Sequence, residues 1–135
     1  MSQENVELVR RMLAATQTDD VANQLAPLLA PDYRIENIVT AVTDKTYHGV
    51  PGCLEWMSDM SDAFAPGARY ELEAVIADTD ELVVTRMAFV GTGAHSGAEL
   101  RLRWITVTWC DGQQVYRSVG YANRHDALKA VGLEE

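Results

Sequence analysis

LRLRWITVTWCDGQQVYRSVGYAN, residues 100–123, decides the fold of this chain. It reads as two long strands joined at Asp111-Gly112, because an Asp-Gly pair between alternating runs is a hairpin signal. In the first strand Leu100, Leu102, Trp104, Thr106 and Thr108 share one face, and Arg101, Arg103, Ile105, Val107 and Trp109 share the other. Neither face is wholly polar, so both are expected to be at least partly covered. One would hold a core or pocket; the other would meet a partner.

Outward from that hairpin, the bulk numbers set limits. A chain of 135 residues is expected to form a single domain, 1–135, with a real core. Hydrophobic content of 47% with 23% charged residues is ordinary for a globular protein. The formal net charge of −9, with no basic patch, argues against nucleic acid as a partner. No run approaches the roughly 18 apolar residues of a membrane span. The start, MSQENVELVRR, lacks the basic segment and apolar run of a signal peptide. Cys53 and Cys110 lie far apart and form no metal or redox motif, so a reduced pair in a cytoplasmic protein is expected. Three scattered histidines without paired acids give no metal site, and no cofactor is expected.

Val6, Val9, Met12 and Leu13 recur at helical spacing after Ser2 and Glu4, which predicts an amphipathic first helix. Val21, Leu25, Leu28 and Leu29 predict a short second one, bent at Pro27 and ended by Pro31. Tyr33 to Val39 reads as a strand with Tyr33, Ile35 and Asn37 on one side. Pro51-Gly52 opens a third helix carrying Trp56 and Met60. Strands over 68–77 and 82–90 precede the long hairpin, and a short helix, 124–131, closes the chain at Gly132. In the first of those strands Tyr70, Leu72, Ala74 and Ile76 share a face. Helices gathered against a strand meander mean an α+β domain, and a strongly curved sheet around three helices would leave a cone with a natural pocket.

SQENVELVRRMLAA, LLAPDYRIEN, YHGVPGCLEWM and WCDGQQVYRSVGYANRHDALKAVGL, in this order and spacing, resemble the SnoaL-like proteins of the nuclear transport factor 2-like superfamily over essentially the whole chain. The resemblance implies a cystatin-like α+β fold, with a curved antiparallel or mixed sheet wrapped round the helices. It also implies a deep cone-shaped pocket and a homodimer through the outer face of the sheet. The superfamily includes polyketide cyclases, ketosteroid isomerases, epoxide hydrolases, dehydratases and non-catalytic proteins, so fold does not select the activity. By the resemblance, the epoxide hydrolases' arginine falls on Arg86, but their two aspartates fall on Ala88 and near Gly120. The isomerases' base falls on Asn37 and their donor acid near Trp104. The cyclases' last-strand aspartate has only Ser118, Gly120 or Ala122 to fall on. The familiar carboxylates are therefore missing, and general acid–base chemistry needs groups that titrate.

What remains polar is Tyr33, Asn37, His48, Arg86 and Ser118. His48, whose residue type titrates near neutrality, is the expected base, and Arg86 the group that polarises a ligand oxygen. Tyr33 is equally a core aromatic, His48 a loop residue bonded to a carbonyl, and Ser118 a small packing residue. An inward Arg86 needs a partner, because an unpaired buried charge costs about 3–5 kcal/mol. Glu55 or Asp59 would supply it; otherwise Arg86 meets a ligand, or the strand faces are inverted and Arg86 is exposed. The expected pocket wall is Tyr33, Ile35, Asn37, Trp56, Met60, Ala88, Leu102, Trp104, Ser118 and Gly120. Ile105, Val107, Trp109, Val119 and Tyr121 form the patch expected to be covered by a second copy. The expected ligand is a small hydrophobic compound, polyketide-, steroid- or terpenoid-like. If a reaction is catalysed, it is a cofactor-independent isomerisation, cyclisation, elimination or hydrolysis. The rival expectation is a non-catalytic dimeric binding or interaction module.

Overall fold

The computed structural model describes residues 2–37 and 45–133, with Ser2 and Asn37 described in backbone alone. The amphipathic stripe near the N-terminus becomes α1 (Ser2–Ala15), which buries Leu8 and Val9 against the sheet and turns Arg10 and Arg11 to solvent. Burial of each such side chain contributes about 1.5–3 kcal/mol. Asn5, also buried, donates from Nδ2 to the Thr79 carbonyl at 3.0 Å and so ties α1 to a turn of the sheet. α2 (Val21–Leu25) runs into a 3-10 turn, Ala26–Leu28, that holds Pro27. The chain extends from Leu29 onward, so Pro31 lies inside β1 (Leu29–Asn37) and does not end a helix. His48, expected in a loop, lies with Tyr47 in a short β2 (Thr46–His48), followed by α3 (Gly49–Ser61).

β3 (Arg69–Asp78), β4 (Leu82–Thr92), β5 (Glu99–Cys110) and β6 (Val115–Tyr121) complete one mixed sheet in the order β2-β1-β6-β5-β4-β3. β1 and β6 run parallel; the other neighbours are antiparallel. The hairpin expected at Asp111-Gly112 is present. Asp111 Oδ1 accepts from the N–H groups of Gln113 and Gln114 at 3.0 and 2.8 Å, and Gly112 takes a φ of 86° that a side chain would strain.

Strand register settles the faces. Thr106 lies opposite Gly120 and Thr108 opposite Ser118 on the inner face, under the helices; Ile105 opposite Tyr121 and Val107 opposite Val119 lie on the outer one. In β3 the expected alternation fails. Register shifts after Leu72 and after Val75 bring Ala74 opposite Arg86 and pack Ile76 with the outer cluster.

α4 (Arg124–Ala130), capped by Asn123 Oδ1 accepting from the Asp126 N–H at 2.8 Å, folds back over that outer face. Its Ala127 and Leu128 pack with Leu82, Val84, Ile105 and Val107. This corrects the reasoning that Ile105 and Val107 need a second copy to cover them: the chain's own tail helix does so. Val119 is buried too, and Trp109 lies under the Arg117 guanidinium, 4.5 Å from its ring centre. Arg117 also pairs with Glu36, at 3.0 Å. At the other end of this face Arg101 and Arg103 reach across β4 to Glu73, at 2.7 and 2.9 Å.

Candidate functional site

A cavity of about 110 Å³ sits between the helices and the inner face of the sheet. α1 supplies Val9, Met12, Leu13 and Thr16; α3 supplies Cys53, Trp56 and Met57. Tyr33 and Ile35 close one side, and Tyr70, Thr85, Met87 and Trp104 the other. Thr106, Thr108, Ser118 and Gly120 line the floor, where the two strands of the opening hairpin face each other. An open groove of about 600 Å³, lined by Gln17, Ser58, Ser61, Ala68, Arg69 and Phe89, lies beside it. Thr16, Met57 and Tyr70 border both spaces and form the wall between them.

Tyr33, Ile35, Trp56, Trp104, Ser118 and Gly120 therefore line the space expected from the sequence. The backbone of Asn37 pairs with Gly120, while its side chain lies outside the described part of the structure. Met60 is buried one layer away, packed with Tyr70, Phe89 and Trp104. Leu102 lies beyond the cavity at the exposed end of β5. Ala88 is on the outer face, opposite Glu71 and Arg103, and fully buried there.

The two residues expected to do chemistry lie outside the cavity. Arg86 stands opposite Ile105 and Ala74 on the outer face, so β4 presents the opposite parity to the one expected, and Thr85 and Met87 point inward. Glu55 and Asp59 pair with Lys45, at 2.9 and 3.5 Å, and not with Arg86. His48 is exposed on β2, opposite Arg34, while its neighbour Tyr47 turns inward and donates its hydroxyl to Asp59 at 2.6 Å.

Sequence reasoning missed the threonines Thr85, Thr106 and Thr108, together with Tyr70, Cys53 and Met57. The alternation of β5 does carry the signal for two of them, since Thr106 and Thr108 share a face with Trp104.

Apart from Glu36 at its edge, the described lining of the cavity carries no charge at ordinary pH. Tyr33 donates to Ser118 Oγ at 2.9 Å, and burial, with a smaller push from Cys53, holds its phenol well above the usual tyrosine range against the opposing effect of that bond. Burial likewise raises Tyr70, and it pushes the Cys53 thiol up to about 11. Glu36 reaches the cavity edge, but its carboxylate bonds Arg117 and Arg34 on the outer face. The Arg117 bond is the main reason its pKa is lowered. The described walls thus offer hydroxyl, thiol and indole groups as hydrogen-bond donors, without a proton acceptor poised near neutrality. Among the described residues no group of His, Cys, Asp and Glu could hold a metal ion. No described helix is long and apolar enough to cross a membrane.

Three side chains that line the cavity each carry a polar atom that lacks any hydrogen-bond partner and is buried: Trp56 Nε1, Tyr70 Oη and Thr85 Oγ1. Trp56 stacks on Tyr70 with ring centres 5.4 Å apart, and Trp104 meets the two edge-on at 6.1 and 6.4 Å.

Comparison with known proteins agrees with this architecture. A protein from Jannaschia sp. CCS1, provisionally described as a SnoaL-like polyketide cyclase, superposes with a TM-score of 0.71 at 18% identity, over 97% of this chain and 90% of its own. A protein of ketosteroid isomerase-like fold from Catenulispora acidiphila, solved with trimethylamine, gives 0.67 at 18% identity over 94% and 93%. A Bacillus subtilis protein provisionally described as an isomerase gives 0.65 at 15% identity over 98% and 95%. These likenesses concern the fold alone. No curated protein matches the chain. The SnoaL-like domain profile matches residues 9–118, a span from α1 to the cavity floor, and the chain belongs to the SnoaL-like family, with the nuclear transport factor 2-like fold.

Proposed function

We propose that this domain binds a small, uncharged, mostly apolar compound in the cavity between α1, α3 and the inner face of the sheet. The observation that carries this reading is the cavity itself: about 110 Å³ of space whose described lining is dominated by apolar side chains and, apart from Glu36 at its edge, uncharged. Close packing normally leaves few voids larger than a water molecule, so a space of this size at the centre of a core is a deliberate feature. Its size selects the occupant. An engineered apolar cavity of about 150 Å³ holds benzene, whereas drug-sized ligands occupy roughly 300–1,000 Å³. A single ring or short branched chain suits the space as it stands. A steroid- or polyketide-sized compound would need the Met57 side of the wall to open into the groove.

Isomerase or cyclase chemistry, suggested by the descriptions of the Jannaschia and Bacillus proteins, would here rest on hydrogen-bond polarisation by neutral Tyr33 and Ser118. Association of two copies through the outer face is a separate proposal, supported by the half-buried Trp109 and Tyr121 beside the α4 contact. Sedimentation at micromolar concentration tests it, and a single 14.9 kDa species would rule it out.

The test of the binding reading is a thermal-shift series with benzene, toluene, cyclohexanone and small terpenes. Ring-sized compounds are expected to raise the melting temperature. Thr108→Ile, which puts apolar bulk into the cavity floor, is expected to abolish the shift while the protein stays folded. No shift with any compound on the unmodified protein would end the reading.

A further inference from the structure

We propose that the occupant of this cavity carries a neutral oxygen acceptor, such as a ketone, ether or alcohol oxygen, and that Trp56 and Tyr70 are the residues that hold it. The proposal rests on the cavity being a ligand site and specifies the chemistry of the ligand.

Among the described residues, four buried side-chain polar atoms lack a hydrogen-bond partner; the fourth is Asn5 Oδ1, and the other three belong to side chains that line this one cavity. Native structures satisfy nearly all buried polar groups, and each exception needs a reason. A concentration of exceptions around a single space points to one shared cause. An indole N–H can only donate, so Trp56 needs an acceptor. The Tyr70 phenol, kept protonated by burial, offers a second donor, and the Thr85 hydroxyl adds a group of either kind. Two unmet donors on stacked rings call for an acceptor atom, and oxygen is the acceptor that a small apolar compound most simply carries.

The charge of the ligand follows from the same wall. No guanidinium, ammonium or imidazole faces in from the described residues, so a carboxylate or phosphate would enter without a counter-ion. A cation would find no carboxylate, because that of Glu36 is turned to Arg117. The rings are held rigidly by Trp104 and by Phe89, whose ring centre is 4.5 Å from that of Tyr70. The adaptable part of the wall is Met57 and Met87, packed in the same cluster, and their side chains rearrange easily as an occupant reaches the orphaned atoms.

The test compares cyclohexanone with methylcyclohexane, of nearly equal size, on the unmodified protein, Tyr70→Phe and Trp56→Phe, by tryptophan fluorescence or thermal-shift titration. Each substitution is expected to weaken cyclohexanone binding about three- to tenfold, the loss of one neutral hydrogen bond. Methylcyclohexane binding by Tyr70→Phe is expected to stay unchanged. Without ligand, Tyr70→Phe is expected to keep or raise the melting temperature, because it deletes a hydroxyl that the fold leaves unpaired. Unchanged cyclohexanone affinity in both variants would overturn the proposal while leaving the cavity as a binding site. A lowered melting temperature of ligand-free Tyr70→Phe would also overturn it, because the hydroxyl would then be partnered in the fold. If neither probe binds the unmodified protein, the binding reading falls and this proposal with it.

Discussion

Tyr33 on β1 donates its hydroxyl hydrogen to Ser118 Oγ on β6 at 2.9 Å, across a separation of 85 positions in the chain. The bond lies inside the parallel pairing of β1 and β6, where Ile35 stands beside Ser118, and it crosses the cavity floor. Tyr33→Phe leaves the serine hydroxyl without its donor, and Ser118→Ala leaves the phenol orphaned. Each single change is expected to destabilise by about 1–3 kcal/mol, whereas the double change costs less than their sum. Urea unfolding of the three variants measures the coupling, and strict additivity would show that the bond contributes nothing of its own.

His48 and Arg86 lie outside the cavity, one exposed on β2 and the other on the outer face of β4. His48→Ala and Arg86→Ala are therefore expected to leave the affinity for ring-sized compounds unchanged within a factor of about two, well under the tenfold that 1.4 kcal/mol represents. The check is the same thermal-shift titration that reads Thr108→Ile; a tenfold loss in either variant would return that residue to the site.

Gly52, in the first turn of α3, lets the helix lie against β2. A Cβ built there would come within 2.8 Å of the Tyr47 carbonyl carbon, a backbone atom with no room to yield. Gly52→Ala is expected to cost about 1–3 kcal/mol by overpacking, although alanine is the better helix former. Equal or greater resistance to urea would refute the close approach.

Cys53 links stability to alkaline pH. Burial raises its thiol from an ordinary 9.0 to about 11, so the folded state holds the proton more tightly than the unfolded chain. Its contribution is fully present below pH 9 and is lost as pH rises through about 11. Tyr33 and Tyr70, also raised by burial, act in the same direction above the ordinary tyrosine range. Stability is therefore expected to fall with rising pH over this window, and Cys53→Ala to flatten the first part of the fall. Melting temperatures measured across the window decide it, and an identical slope in the variant would remove Cys53 from the account.

The legible parts of this fold were those where one side of an element is plainly wet. The stripe of α1 and the Tyr33–Ile35 side of β1 fall where periodicity puts them; the Trp104–Thr106–Thr108 face of β5 also lies inward, although Ile105 and Val107 on its other face are buried as well. β4 gave no such contrast. Val83, Thr85, Met87 and Phe89 alternate with Val84, Arg86, Ala88 and Val90, and most of both sets are buried, one under the helices and the other on the outer face, partly beneath α4. With both faces covered, parity cannot be read from alternation. Only the lack of an inward acid to partner Arg86 hinted at the inverted assignment. In β3 the register shifts are the obstacle, because strict alternation cannot anticipate a bulge. The cavity was legible as a consequence of family architecture, but its neutral threonine floor was not, since threonine suits a strand whether it faces water or a void.

The wall shared by cavity and groove has a kinetic meaning. Thr16, Met57 and Tyr70 border both spaces, so a compound crossing from the groove into the cavity displaces part of that border, and Met57 is its adaptable member. A barrier of this kind slows capture and escape by the same factor and leaves the equilibrium constant where the cavity chemistry sets it. Under the binding proposed above, residence time and affinity are tuned by different residues: a smaller side chain at Met57 is expected to shorten the first, and the orphaned donors around the cavity to govern the second.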